Sequence, residues 1–198
     1  MLGTVYSMAA VLLIKSITLD GSVNIDKRVK DAIFEVDRNA IIFHNPLLPL
    51  DCETCHIDYL VISKKGLFLL NILDTPGTLD NLNIQDQTWK AIEPVDVFTW
   101  KMNSILDPEL QLQKSLFAMK AMLEDHHIKY LPIYGIIVYN DRITRLLKVT
   151  SAPIVKLSKL EEYLSEFQQR SLNKEIMKDL IHIICTYDTL HQYQCHEV

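Results

Sequence analysis

Glycine is scarce in this sequence of 198 residues, which contains only five. No two of them have the spacing G-x-G-x-x-G or G-x-x-x-x-G-K, so a dinucleotide fingerprint and a phosphate-binding P-loop are both absent. The G-x-S-x-G nucleophile elbow is missing as well. These absences exclude the large classes of nucleotide-binding and hydrolytic enzymes that depend on those motifs.

An excess of basic residues is also lacking, because Lys and Arg number 20 against 25 Asp and Glu, a formal net charge of −5. A protein that coats nucleic acid by bulk charge is basic, so this class is excluded for the chain as a whole, although a local basic face is not. With 48% hydrophobic residues the chain can bury a sizeable core, which excludes a disordered protein. The length is that of one domain, or of one domain with an added element.

Cysteine is too sparse for a disulfide scaffold, with four in the chain, and this favours a reducing compartment. Cys52 and Cys55 form a single C-x-x-C pair followed by His56, and thiolate and imidazole groups are zinc ligands. Because no second such pair is present, the alternative is a loop with two free thiols.

A long hydrophobic run is missing too. The apolar segment at residues 5–14 is shorter than the ~20 residues that span a bilayer. No basic region precedes it, as one does in a signal peptide. We therefore expect residues 1–20 to form an N-terminal element packed on the core, and we expect a cytoplasmic protein with no membrane partner.

The apolar pattern predicts an α/β fold. One helix begins near Ser22 or Asn24 and carries a single apolar stripe, and a second helix begins at Asp107-Pro108. Short apolar runs predict four strands, at 40–43, 57–63, 67–73 and 133–139. The order α-β-β-β-α-β, with an aspartate on the second strand, is typical of a restriction-endonuclease-like core, in which helices flank a mixed sheet.

The other segments differ in charge. Residues 78–105 are an acidic, loop-rich stretch with weak strands around Trp89 and Val97, whereas 142–159 contains five basic residues and no acidic one. One further strand and two helices are predicted towards the C-terminus, at 152–157, 158–168 and 172–193. The apolar stripe of the last helix fits either a core helix or the seam of a dimer.

Three motifs resemble those of the nuclease-related domain (NERD) family of the PD-(D/E)xK nuclease group. The stretch Ile57–Phe68, with Ile-Asp followed by Lys-Gly, is similar to the family's signature. Asp107–Gln111 resembles its Asn-Pro-x-x-Gln, and Asp26–Val29 takes the place of its Glu-x-x-Val. The resemblance covers residues 21–140, which leaves 141–198 as a basic loop, a possible strand and helices of the same domain.

The resemblance implies a metal-dependent phosphodiesterase site. In the family an aspartate after isoleucine and an E-x-K motif on the next strand hold Mg²⁺ and position water, and carboxylates and lysine suit that chemistry. Asp58 keeps the first position, but the triplet aligned with E-x-K is Asn71-Ile72-Leu73. Asn71 carries no charge, and Leu73 can neither bind an anion nor position water.

Substitutes for the two missing charges lie elsewhere in the chain. Asp74 is a poor substitute for the missing carboxylate, because side chains alternate along a strand and Asp74 would face away from Asn71. Lys114 follows Gln111 by three residues, so both share a helix face from which they can reach the site. The candidate catalytic residues are therefore Asp58, Asn71, Gln111 and Lys114, and the candidate metal ligands are Asp26 and Asp58.

The basic segment directly after the last core strand supplies candidate nucleic-acid contacts, which are Arg142, Arg145 and Lys148. A solvated loop without a partner is the alternative. The resulting hypothesis is a catalytically degenerate NERD-like domain that binds nucleic acid, with DNA as the first candidate, or acts as a scaffold, and that needs no cofactor. The alternatives are an active nuclease with Mg²⁺ or Mn²⁺, and a module that binds another protein or forms a homodimer. No small-molecule cofactor is expected in any of these.

Overall fold

A computed structural model describes most of the chain from residue 25 onwards. The described residues are 25–50, 53–80, 88–96, 98–141, 143–146, 151–168, 172 and 174–194. The element predicted at residues 1–20, the helix start at Ser22 or Asn24, and Cys52 lie outside them. None of the described helices is both long and apolar enough to cross a membrane.

The core begins with a helix and an antiparallel meander, as the apolar pattern predicts. Residues 25–36 are helical (α1), and the predicted stripe is buried at Ile25, Val29 and Ile33. Three strands of the meander follow, which are β1 (Ile41–His44), β4 (Tyr59–Ser63) and β5 (Gly66–Leu73). Between β1 and β4 lies a small hairpin of β2 (Leu47–Leu50) and β3 (Glu53–His56).

That hairpin corrects the prediction of a loop at 47–55. Leu48 and Cys55 are paired across it, and both are buried in the core that also contains α2 residues. Their burial explains why the hairpin forms although Pro49 interrupts the apolar pattern. The side chain of Cys55 lies beside the Ser115 hydroxyl, with Sγ and Oγ 3.2 Å apart.

The main sheet has the strand order β1-β4-β5-β9-β11. It is completed by β9 (Ile133–Tyr139) and β11 (Ile154–Lys156), and the second helix, α2 (Pro108–Asp125), precedes β9. The pairs β1–β4 and β4–β5 are antiparallel, whereas β5–β9 and β9–β11 are parallel. This is the mixed sheet of a restriction-endonuclease-like core.

Helices cover both faces of the main sheet. Leu67 and Leu69 of β5 belong to the core that includes α2 and the C-terminal helix α4 (Lys174–Gln194). The alternating residues Phe68 and Leu70 belong to the opposite core, with α1 and α3 (Leu160–Ser165). The eight-residue apolar strand β5 is thus central and buried on both faces, as such runs usually are.

The C-terminal helices are attached to these cores. Leu180 and Ile184 of α4 are buried beside α2, so this stretch of the stripe packs inside the protein. The ammonium group of Lys65, in the β4–β5 turn, donates to the carbonyl oxygens of Leu164 and Ser165 at 2.9 Å each, which ties α3 to the meander.

A second sheet with the order β10-β6-β7-β8 packs against the α2 side. Its strands are β6 (Gly77–Asp80), β7 (Thr88–Pro94), β8 (Trp100–Leu106) and β10 (Ile143–Leu146). Trp89 of β7 is fully buried in the shared core, which confirms a strand around that residue.

Two predictions about this region need correction. Val97 lies outside the described residues, and the strand expected around it begins instead at Trp100, since Asp96 accepts from the backbone N–H groups of Phe98 and Thr99 in a turn. The segment after β9, predicted as a basic loop, contains β10, which pairs in parallel with β6.

Candidate active site

Of the predicted site residues, Asp58 and Asn71 lie at one edge of the main sheet, where β4 begins and β5 ends, and Asp26 contacts Tyr59 of β4 at the same edge. Asp58 directly precedes β4, and β4 runs antiparallel to β5, so the start of β4 lies beside the end of β5. Asp74 directly follows β5, and Asn140 follows the parallel strand β9. At an edge where parallel strands end, loops and side chains are free to form a site.

Asp58 is anchored by the backbone of β5. Its Oδ2 accepts a hydrogen bond from the Ile72 N–H at 2.6 Å, and its Oδ1 lies 3.7 Å from His56 Nδ1. The last paired residues in the β4–β5 register are Tyr59 and Leu70. One further step of the same register sets Asp58 opposite Asn71, so these two residues are cross-strand neighbours.

Asn71 is buried, with 6% of its surface exposed, and its Oδ1 has no hydrogen-bond partner. A carboxamide oxygen can serve as a neutral ligand, but it adds no negative charge beside Asp58. Leu73 lies two residues further along the strand and is 8% exposed, in the apolar core with α2. At these two positions β5 therefore presents one neutral oxygen and one packed aliphatic side chain.

Asp26 is held by partners within the protein. Tyr59 Oη donates to its Oδ1 at 2.7 Å, and Lys30 Nζ donates to its Oδ2 at 2.7 Å. The imidazole of His44 lies near the same carboxylate, with Nε2 and Oδ1 3.8 Å apart. The Lys30 ammonium and then the Tyr59 hydroxyl lower the pKa of Asp26, whereas burial and the bond to Asp26 raise the pKa of Tyr59.

This arrangement fits a divalent metal ion poorly. Among the described residues, no group of three or more His, Cys, Asp or Glu side chains is placed to hold a metal ion. Both oxygens of Asp26 already accept hydrogen bonds, and Asp58 faces a neutral residue. Mg²⁺ prefers charged oxygen ligands in octahedral geometry, so one carboxylate and one carboxamide form a weak set.

The helix residues Gln111 and Lys114 lie on the exposed side of α2. Within the part of the chain that is described, neither side chain hydrogen-bonds to Asp58 or Asn71. Their proposed roles therefore stay predictions. Asp107 has a clear structural role, because its side chain caps α2 by accepting from the N–H groups of Glu109 and Leu110.

The basic segment is described in part. Arg145 is exposed on β10, whereas Arg142 and Lys148 lie outside the described residues. Two further basic side chains, Arg28 and Lys156, lie at the same edge of the main sheet as Asp58, and both form ion pairs with Asp141. Arg28 Nη2 is 2.9 Å from Asp141 Oδ2, and Lys156 Nζ is 3.1 Å from Asp141 Oδ1. These contacts lower the pKa of Asp141, the hydrogen bond from Arg28 contributing most.

Sequence reasoning missed several members of this edge. His44 lies beside Asp26, and His56 lies beside Asp58. Tyr59 donates a hydrogen bond to Asp26. Asp141 forms ion pairs with two basic side chains, Arg28 and Lys156. The adjacency of His56, Asp58 and Tyr59 in the sequence was a usable signal. The Arg28–Asp141 pair, 113 residues apart, had none. Asp74 accepts from Asn140 Nδ2 at 2.7 Å.

The comparison with protein families agrees with this geometry. The model of the nuclease-related domain (NERD) family matches residues 21–140, which is more than half of the chain. The matched range contains α1, the meander, α2 and β9, the elements that build the site edge. No curated protein and no solved structure matches the chain. By its sequence match, the chain belongs to the nuclease-related domain family.

Proposed function

We propose that this chain is a nuclease-related domain that no longer cleaves phosphodiester bonds and that binds nucleic acid. The observation that carries the proposal is the pairing of Asp58 with Asn71. Where a metal-dependent nuclease sets two carboxylates side by side, this site has one carboxylate and one buried carboxamide oxygen. Leu73 occupies the position of the lysine and packs into the apolar core.

The loss of charge bears directly on the chemistry. Hydrolysis needs a metal ion that polarises the phosphate and activates water, and the affinity for that ion falls when an anionic ligand is replaced by a neutral one. Asp26 does not compensate, because Lys30 and Tyr59 occupy its two oxygens. Leucine cannot supply the positive charge that stabilises the transition state.

Binding of nucleic acid is supported by the position of the basic groups. Arg145 is exposed on the strand that follows β9. Arg28 and Lys156, which both form ion pairs with Asp141, stand at the same edge as Asp58. Arginine and lysine make most of the contacts to phosphates, and these contacts fix a protein on the duplex without reading its sequence. DNA is the first candidate, and a cytoplasmic location is part of the same proposal.

The proposal is tested by a combined binding and cleavage assay on labelled single- and double-stranded DNA, with one arm in EDTA and one in Mn²⁺. We expect salt-sensitive binding in both arms and intact DNA in both. Arg145→Gln should weaken binding and lower the salt dependence by about one phosphate contact. Lys129→Gln is the matched control. Lys129 is exposed and precedes β9, so it lies at the edge of the main sheet opposite to Asp58. Equal effects of the two variants, or no binding at all, would contradict the nucleic-acid role.

A further inference from the structure

The strand β9 has neighbours on both sides only along its second half. β5 runs beside the whole of β9, whereas β11 pairs only with Ile137–Tyr139. Among the described strands, residues 133–136 therefore have no neighbour on the side of β11. Backbone N–H and C=O groups on such an unpaired edge are available to another molecule.

Two hydrogen bonds show which backbone groups face this unpaired edge. The N–H of Asn140 donates to a carbonyl oxygen of β5, and that of Ile137 donates to the carbonyl oxygen of Pro153, directly before β11. The even-numbered positions of β9 therefore bind β5, and the odd-numbered positions face the side of β11. It follows that the N–H and C=O groups of Ile133 and Gly135 point away from β5, into the open space.

Pro153 keeps β11 from closing this space. In a parallel ladder the residue that accepts from the Ile137 N–H would donate its own N–H to the Gly135 carbonyl. Proline has no N–H, so that bond cannot form. Just before it, the N–H and the hydroxyl of Ser151 both donate to Glu109 Oε1 of α2. The end of the space next to β11 is therefore closed and fixed to α2.

The space beside residues 133–136 is a slot of about 360 Å³, within the usual range for small-molecule sites. Its first wall is α2, from which Leu112, Gln113 and Leu116 line it. Gly135 allows this wall to approach the strand, because a Cβ there would lie 2.9 Å from Leu116 Cδ1. Gln113 is exposed, so this wall is apolar with an amide group at its outer side.

The second wall is aromatic and lies on the opposite face of the main sheet. Tyr163 and Phe167 line the slot there, beside Tyr134 of β9. The ring centroid of Phe167 lies 4.5 Å from that of Tyr134 and 5.4 Å from that of Tyr163, so the three rings hold one another in place. Among the described residues that line the slot, none carries a charge.

We propose that the slot binds a nucleobase between α2 and the aromatic wall. The C=O of Ile133 and the N–H of Gly135 place an acceptor and a donor side by side, and each nucleobase carries a donor beside an acceptor on one edge. The faces of all bases stack on aromatic side chains. Because the walls are uncharged, the phosphate groups of a nucleotide stay outside the slot.

An extended peptide is the competing occupant, since an added strand would bind the same backbone groups. Such a strand would have to continue in the plane of the sheet, where residues 151–153 block its path. A compact, flat ligand meets no such obstruction, which favours the base. The slot lies where β9 begins, at the edge opposite to Asp58, so it is separate from the proposed phosphate contacts.

Binding is tested by isothermal titration calorimetry of the full chain with adenosine. We expect saturable binding. The analogue with a dimethylated exocyclic amine keeps the rings but has no N–H for the Ile133 carbonyl, and it should bind less tightly. No binding of adenosine at millimolar concentration, or equal affinities for the two compounds, would overturn the proposal. Loss of the slot in this way leaves the proposed nucleic-acid role intact, because that role is measured on DNA and on Arg145→Gln.

Two further arms identify the source of the base and the competing ligand. Displacement of adenosine by a single-stranded deoxyadenylate assigns the site to an unstacked base of a strand, and adenosine binding that persists assigns it to a free nucleoside. A base occupies the slot in both cases. A tetra-alanine peptide should give no heat of binding. Saturable binding of that peptide would assign the slot to extended chains and overturn the proposal.

Substitutions locate the binding in the slot. Gln113→Trp should fill the slot and abolish the binding of adenosine with an unchanged circular dichroism spectrum. Lys120→Trp is the matched control, because Lys120 is an exposed residue of α2 outside the slot, and it should bind as wild type does. Tyr163→Leu removes one ring and should weaken binding about fivefold or more. Equal binding by Gln113→Trp and Lys120→Trp would overturn the assignment.

Discussion

Asn71 stands opposite Asp58, one register step beyond the paired residues Tyr59 and Leu70. Asp58 contributes a partly exposed carboxylate, and Asn71 contributes a buried carboxamide whose Oδ1 has no hydrogen-bond partner. In a metal-dependent nuclease the same two positions hold negative charge. The absence of that charge is the physical basis for the proposed loss of cleavage.

Restoring the charge should restore metal binding. We expect Asn71→Glu to destabilise the metal-free chain, because it places a buried carboxylate beside the carboxylate of Asp58. Millimolar Mn²⁺ should then raise the melting temperature of this variant by about 5–10 °C, since a ligand that binds only the folded state stabilises it. Asn71→Gln, of equal length and neutral, is the control. A wild-type chain that gains as much from Mn²⁺ would show that the native site already binds metal.

Asp58 should have a structural role that does not depend on catalysis. Its Oδ2 accepts from the Ile72 N–H where the β4–β5 ladder ends, so Asp58→Ala should cost about 1–2 kcal/mol in the free energy of unfolding. Asp58→Asn keeps an oxygen acceptor and should lose less. Urea unfolding of the three chains measures both effects. Equal losses in the two variants would show that the hydrogen bond is not what stabilises this position.

Asp141 should make the stability depend on pH in the acid range. Arg28 and Lys156 lower the pKa of its carboxyl in the folded chain relative to the unfolded chain. The stabilisation is therefore complete above the unfolded pKa of about 3.9 and is lost as the pH falls through the lower folded pKa. Because these pairs are partly exposed, we expect at most about 1 kcal/mol between wild type and Asp141→Asn at pH 6. Unfolding measured at pH 6 and pH 3 should show that difference shrink, and a constant difference would refute the assignment.

Lys65 should contribute more to the free energy of unfolding than its neighbour Lys64. It is buried, and its ammonium donates to two carbonyl oxygens at the end of α3. Lys65→Met should lower the free energy of unfolding by about 2–3 kcal/mol, because the carbonyl oxygens of the buried Leu164 and of Ser165 lose a charged donor. Lys64 is exposed, and Lys64→Met should stay within about 0.5 kcal/mol. Similar values for both variants would mean that α3 does not depend on this contact.

Much of the fold was predictable because local patterns carried it. The stripe Ile25, Val29 and Ile33 specifies α1, and the apolar run of β5 specifies a central strand. The hairpin at 47–56 was missed because its stability comes from Leu48 and Cys55 packing against distant helices. The start of β8 was misplaced because the apolar residues near Val97 favour a strand, whereas the side chain of Asp96 accepts from the N–H groups of Phe98 and Thr99 and forms a turn there.

The candidate site residues were chosen from motifs along the chain, and their contacts could not be predicted. Asp58 and the triplet Asn71-Ile72-Leu73 are visible in the sequence, and their catalytic roles stay predictions. The engagement of Asp26 by Tyr59, a residue 33 positions away, depends on how α1 crosses the sheet. The pairing of Arg28 with Asp141 depends on the same tertiary arrangement. Interactions of this range have no local signature, and they decide whether a carboxylate is available to a metal ion.

Loss of cleavage is tested most directly by the rate at which the purified full chain cleaves DNA in Mn²⁺, measured beside Asp58→Ala prepared in the same way. We predict that both proteins leave labelled single- and double-stranded DNA intact, with no difference between the Mn²⁺ and EDTA arms. Cleavage by the wild-type chain that requires Mn²⁺ and disappears in Asp58→Ala would contradict the proposal that this domain no longer cleaves phosphodiester bonds.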